Sequence, residues 1–305
     1  MSTRGQWGGS VLIVTENADP RNKGLYAAIP QLGNGFGILF ANGSFLFLTL
    51  GFPDAFLTWA WRVPFLISVI LVVIAIYMHF RVEDSEEFVR ARAKVPAATS
   101  APLLAVLRRY PIEILLAGAA FMIVNAGYYI ASTYGLSYGT TVLGLRRETI
   151  LVGIVASAAA SIPVTLLAGY ISDRVGRGRV FITGAVLHLL WVFPFFWLFN
   201  SKSSVAMGIA LIVSQVTLNT MYGPLAAMFA ELFAPEVRYS GMSLAYQFGA
   251  VLGGGFAPTI CAALFETFQT SAAISTYWAV VGAVSLVAIS ILTARQRRMA
   301  AQLAL

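Results

Sequence analysis

Apolar residues run through this chain in long unbroken blocks, and the polar and charged ones gather in the short segments between them. Eight blocks approach or exceed the about 20 mostly apolar residues that a helix needs to cross a bilayer. They fall at 25–50, 63–80, 112–138, 150–172, 180–199, 205–230, 241–265 and 273–294. A ninth block, 7–15, is apolar but too short to span. In hydrocarbon each backbone N–H and C=O must find its partner within the protein, and a single-segment helix does this on its own. The pattern therefore predicts an all-α membrane protein. The longest polar stretch, 81–110, reads as a solvated linker, with a short front part before it and six helices behind it.

Composition agrees. Only 11% of the 305 residues are charged, against about 25% in a soluble domain, so lipid must serve as solvent for most of the surface. The net charge of +7 does not point to nucleic acid, because the basic residues sit in the connecting segments. Their distribution gives an orientation instead. With the C-terminus in the cytoplasm, fifteen Lys and Arg fall on cytoplasmic segments. Five fall outside, namely Arg4, Arg62, Arg146, Arg147 and Lys202. That is a positive-inside bias, broken by the pair Arg146–Arg147 next to Glu148. It expects a multi-pass protein of the plasma (bacterial inner) membrane. The one cysteine, Cys261, excludes an intrachain disulfide.

An internal repeat suggests how the helices are grouped. Glu16, Pro20, Arg21, Gly24, Gln31, Gly33 and Gly37 have counterparts in Glu231, Pro235, Arg238, Gly241, Gln247, Gly249 and Gly253, at an offset of 215 to 217 residues. A period this long means duplicated bundles, a common construction of secondary transporters. The second bundle is expected at 111–305 with a short basic tail, after a central cytoplasmic loop at 81–110. Residues 1–80 are expected to be about three helices of the first bundle. The same offset puts the beginning of that bundle roughly 105 residues before Met1. Three helices and part of a fourth are then expected to be absent, and the chain is not expected to transport by itself.

One connecting segment carries a motif. Gly169-Tyr-Ile-Ser-Asp173-Arg174-Val-Gly176-Arg177-Gly-Arg179 lies between two expected spans. Glycines there allow a tight turn and close helix approach. An aspartate can accept the free N–H groups at a helix N-terminus, and an arginine can bond a carboxylate such as Glu231 bidentately. Glu16, Arg21 and Arg238 belong to the same cytoplasmic constellation through the repeat. The alternative is a basic turn that only sets topology.

The motif strongly resembles the loop motif of the major facilitator superfamily, in its second-half copy. The chain more specifically resembles the metabolite:proton symporter family, through Gly5-Gln-Trp-Gly-Gly-Ser-Val-Leu, Pro30-Gln-Leu-Gly, Trp61-Arg-Val-Pro-Phe-Leu, Asn125-Ala-Gly-Tyr-Tyr and Ala230-Glu-Leu-Phe-Ala-Pro-Glu-Val-Arg. It departs at Gln6, where relatives usually carry an acidic residue. The resemblance implies a major facilitator fold lacking its first three helices, with the C-terminal six-helix bundle complete. It also implies a proton symporter of a small polar metabolite, such as an organic acid or a betaine-like osmolyte. The expected partners are that substrate, protons and the bilayer, with no cofactor, metal or nucleic acid, and a monomeric state.

Polar side chains within spans are functional candidates because they are costly in lipid. Asn125, Tyr128 and Tyr129 share one helix face at i, i+3 and i+4, and Gln215, Asn219 and Tyr222 share another at i, i+4 and i+7. Gln31, Asn34, Asn42 and Gln247 are further candidates for a substrate cavity. The alternative for each is interhelical bonding, worth about 0.6 kcal/mol. Gly249, Gly253, Gly254 and Gly255 read as close helix packing. No carboxylate lies in the middle of a span, so the proton-carrying group is expected in the absent helices or from another source. A membrane-embedded enzyme is the rival class, but His79 and His188 stand alone and read as interfacial or packing residues. A non-transporting fragment of a carrier is the other alternative.

Overall fold

The computed structural model describes residues 7–16, 18–81, 102–234 and 237–303, and every element among them is helical. A short α1 (Trp7–Glu16) precedes α2 (Lys23–Gly51), which bends at Ile29–Gln31, and α3 (Val63–Arg81). Then come α4 (Pro102–Arg109), α5 (Pro111–Thr141), α6 (Arg147–Val175), α7 (Arg177–Asn200), α8 (Ser204–Ala230), α9 (Arg238–Phe268) and α10 (Ser271–Leu303). Among the described residues eight helices are long and apolar enough to cross a membrane, namely α2, α3 and α5 to α10. These are the eight apolar blocks of the sequence, and α1 is the short ninth.

The helices from α5 onward pack on one another. α8 lies between α6 and α7, α10 between α5 and α7, and α9 against α5. Their buried side chains form two layers stacked along the helix axes. One layer, toward the Gly176 end of α7, is built around Phe121, Phe229 and Met242 and also takes in Val11 and Ala27 from α1 and α2. The other, toward the Asn200 end, is built around Phe195, Phe196, Phe199 and Trp278. α2 leans on α6 and α8, and α1 on α9. α3 touches little beyond α2 and its own leading turn, and its apolar side chains are exposed, as Leu66 and Ile70 show. For a helix in lipid this is apolar surface in an apolar solvent.

Two features differ from the sequence expectation. The polar stretch 81–110 is not wholly a solvated linker, because α4 docks on α5 and α9 and buries Val106 completely. Its eight residues make about two helical turns, apolar up to Leu107 and closed by Arg108 and Arg109. Two spans are also locally unwound to π-helix, at Tyr129–Tyr134 in α5 and at Val251–Gly255 in α9. Such π segments occur mostly as short insertions, often at functional sites.

Candidate functional site

The two polar faces singled out in the sequence meet. Asn125, Tyr128 and Tyr129 of α5 face Gln215, Asn219 and Tyr222 of α8 across a cleft of about 170 Å³. Asn34 of α2 and Tyr246 of α9 complete its polar lining, with Phe121, Val124 and Leu218 between them. No lining residue is an acid, a base or a histidine. The π segment of α5 begins at Tyr129, and the one in α9 brings Gly254 under the Tyr129 ring. A Cβ on Gly254 would stand 2.7 Å from that ring and 3.3 Å from Asn125 Cβ. Irregular helix turns thus set the position of the cavity's aromatic edge.

Inside the cleft the polar atoms are unevenly satisfied. Asn219 donates to the Gln215 carbonyl at 2.8 Å and to Gln215 Oε1 at 3.2 Å, and Thr165 lies 2.9 Å from Asn219 Oδ1. Asn125 Nδ2 is buried with no hydrogen-bond partner among the described residues. One side of the cleft is closed by stacked rings. Trp7 stacks on Tyr246 at 4.2 Å, and Tyr246 packs on Phe121 at 4.3 Å. Gln31, only 2% exposed, bridges the same wall by accepting from Trp7 Nε1 at 3.3 Å and donating to the Tyr222 carbonyl. Gln31 is therefore a strut beside the cavity and not part of its lining. Asn42 bonds the Ile38 carbonyl of its own helix at 3.0 Å, and Gln247 is exposed, so neither lines this cleft. Tyr246, the neighbour of Gln247, lines it instead, because one helical step turns a side chain by about 100°.

The loop motif forms a second cluster. Asp173 Oδ1 accepts the Gly24 N–H at 2.7 Å and Oδ2 accepts the Leu25 N–H at 3.0 Å. Both donors lie in the first turn of α2, where N–H groups lack helical partners. Arg177 lies 3.3 Å from Asp173 and pairs with Glu231 as well. The contact is tight because the backbones are bare. A Cβ on Gly24 would come within 2.7 Å of the Gly169 carbonyl, and one on Gly223 within 2.5 Å of the Thr165 carbonyl. Gly176 alone connects α6 to α7, at φ +97°, where any Cβ is strained. The other predicted members stand apart. Arg174 lies over the ring of Tyr170, 3.5 Å from its centroid, on its own helix. Arg238 reaches the Phe233 carbonyl at 3.4 Å. Arg21 lines a cavity of about 510 Å³ beside the lock, whereas the side chain of Glu16 lies outside the described residues.

Sequence reasoning passed over Thr165, Trp7 and Tyr246. It read His188 as interfacial or packing, and the packing sense holds. His188 is fully buried, with Nδ1 2.7 Å from Thr217 Oγ1 and its ring edge-on to Trp278. The side chain of His79 lies outside the described residues.

Residues 2–258 match the sequence profile described as Major Facilitator Superfamily. The chain belongs to the major facilitator superfamily. Among curated relatives, it is 32% identical over 292 residues to an inner membrane metabolite transport protein, YhjE, of Escherichia coli K12. It is 33% identical over 268 residues to the shikimate transporter of the same organism. A putative proline/betaine transporter of Staphylococcus aureus MSSA476 is 25% identical over 260 residues. These matches cover 93%, 87% and 85% of the chain, but 66%, 61% and 56% of the relatives, so the chain spans less than two-thirds of their length. The fold also matches solved facilitators. The proton:xylose symporter XylE aligns over 93% of this chain and 66% of its own at TM-score 0.72 and 16% identity. FucP in its outward conformation aligns over 93% and 72% at TM-score 0.67 and 13% identity. Relatives and structural neighbours are transporters and not enzymes.

Proposed function

We propose that this chain forms the C-terminal half and the interface helices of a proton-coupled carrier for a small polar metabolite, with its C-terminus in the cytoplasm. The observation that carries the reading is the cleft itself. Two clusters of hydrogen-bonding side chains, spaced along separate helices, converge on one uncharged polar site between α2 and the later bundle. Asp173 pins that bundle to α2 on one side of the cleft, as a lock would in a carrier that opens to one face at a time. The names of the relatives support metabolites of the organic acid or betaine kind, and those of the structural neighbours support proton coupling. The division into 1–80, 81–110 and 111–305, and a monomeric state, belong to the same proposal.

The test is uptake into proteoliposomes under an inward proton gradient, with labelled shikimate, glycine betaine and a panel of small organic acids. A form carrying all twelve helices of the fold is expected to show saturable uptake that an uncoupler abolishes. The 305-residue chain by itself is expected to show none. Absence of uptake by the twelve-helix form across the panel, or uptake indifferent to uncoupler, overturns the proposal.

A further inference from the structure

The amides of the cavity wall are held in one orientation, and that orientation decides what the wall can bind. Asn219 lies one turn along α8 from Gln215, and its Nδ2 donates to the Gln215 backbone carbonyl at 2.8 Å. A carbonyl can only accept, so the nitrogen end of Asn219 is fixed toward Gln215 and its Oδ1 must point the other way. There it meets the hydroxyl of Thr165 on α6 at 2.9 Å, whose proton is shared with the Ser161 carbonyl at 2.8 Å. The same Asn219 Nδ2 reaches Gln215 Oε1 at 3.2 Å. The oxygen end of Gln215 is thereby turned toward Asn219, and its Nε2 is left as an unused donor in a residue that lines the cleft. The second unused amide nitrogen, Asn125 Nδ2, is buried in the same lining. A donor without a partner in a buried site is costly, and a ligand oxygen would remove that cost.

Resting on the reading of this cleft as the substrate site, we propose that Thr165 and Asn219 are positioning residues that hold the Gln215 amide with its NH₂ toward the substrate. Gln215 and Asn125 then form a donor pair for an acceptor oxygen, a carboxylate or a carbonyl. Thr165 touches no substrate in this arrangement. It acts through Asn219, and it does so across the α6–α8 packing that Gly223 makes possible. The wall accordingly recognises the oxygen-bearing end of a small molecule without a positive charge of its own.

Side-chain amide exchange reads this directly. The chain has seven glutamines and seven asparagines, so ¹⁵N labelling of both residue types in lipid nanodiscs gives few side-chain amide signals, and Gln215→Glu, Asn219→Asp and Asn125→Asp each assign one by its loss. The Gln215 NH₂ protons are expected to exchange with water at least about tenfold faster than the Asn219 NH₂ protons, because only the latter are hydrogen-bonded. Thr165→Val is expected to shift the Gln215 resonance and speed Asn219 exchange several-fold, and Thr165→Ser is expected to restore both. Asn219→Asp presents only acceptors to Gln215, so the Gln215 amide should turn over and its protons become protected. A purely structural role would not reverse the sign in this way, and this variant also serves if Thr165→Val fails to fold. Titrated sodium acetate is the oxygen probe, expected to move the Gln215 and Asn125 amide signals saturably in the native chain and not in Asn219→Asp. A protected Gln215 NH₂ in the native chain, or a signal indifferent to Thr165→Val and Asn219→Asp, overturns the positioning. Absence of a saturable acetate shift overturns the oxygen site. Transport enters none of these readouts, so failure of the carrier proposal would leave them unchanged.

Discussion

At the scale of single residues, the lock between Asp173 and the start of α2 separates a buried charge from an exposed one. The Asp173 side chain is 3% exposed and accepts two backbone N–H groups as well as facing Arg177. The Glu231 side chain is 49% exposed and, among the described residues, pairs with Arg177 alone. Bonds to a charged acceptor contribute about 1.5–3 kcal/mol each, whereas an exposed ion pair contributes about 0–1 kcal/mol. Asp173→Asn is therefore expected to lower stability by about 2 kcal/mol or more, and Glu231→Gln by less than about 1 kcal/mol. Urea unfolding in mild detergent checks the ranking, and equal losses would contradict it. The repeat glycines divide in the same manner. Gly24→Ala puts a methyl group 2.5 Å from Ser172 Oγ and 2.7 Å from a carbonyl, and should cost about 1–3 kcal/mol. Gly37→Ala meets nothing within 4 Å in a helix interior, and should stabilise by roughly 0.5–1 kcal/mol.

At the scale of elements, α5 and α9 approach along a strip of glycine. A Cβ on Gly249 would stand 2.5 Å from the Gly118 carbonyl and 2.9 Å from Phe121 Cβ, while one on Gly255 meets open space. Without a hydrophobic force between helices in lipid, such close contact is a main source of their association. Gly249→Val is expected to destabilise by about 1–3 kcal/mol and Gly255→Ala to be neutral within about 0.5 kcal/mol, read as melting temperatures of the purified protein. Gly254→Ala is a sharper probe, because its methyl group would displace the Tyr129 ring at the cavity edge. Its melting temperature should fall less than that of Gly249→Val, since a ring at the rim of a cavity can swing and a backbone carbonyl cannot.

At the scale of the whole molecule, the orientation proposed from charge places Ser201, after α7, outside and Arg298, near the end of α10, in the cytoplasm. Both are exposed, and Cys261 is buried and can be replaced by serine to leave no other thiol. In intact cells an impermeant maleimide is expected to label Ser201→Cys and spare Arg298→Cys until the membrane is opened. The reverse pattern would invert the topology and place the Asp173 lock on the outer face.

The sequence by itself determined the helical membrane class, the eight spans and the residues of the loop motif. Each of these follows from local chemistry: runs of apolar side chains, the need to satisfy the backbone in lipid, and the punctuation of Gly, Asp and Arg. It also determined which faces of α5 and α8 are polar, since i, i+3 and i+4 spacing fixes a face without knowledge of its neighbours. What faces those faces was decided only by tertiary structure. Tyr246 and not Gln247 enters the cleft because the packing of α9 on α5 sets which of its faces is turned inward. Arg174 and Arg177, three residues apart in one motif, part company because α6 ends at Val175 and α7 begins at Arg177, so that Gly176 points them to different partners. Thr165 carries no signal in its own helix. It gains a role only where Gly223 lets α8 approach closely enough for Asn219 to reach it, and a hydrogen bond between residues 54 apart in the chain is set by that approach.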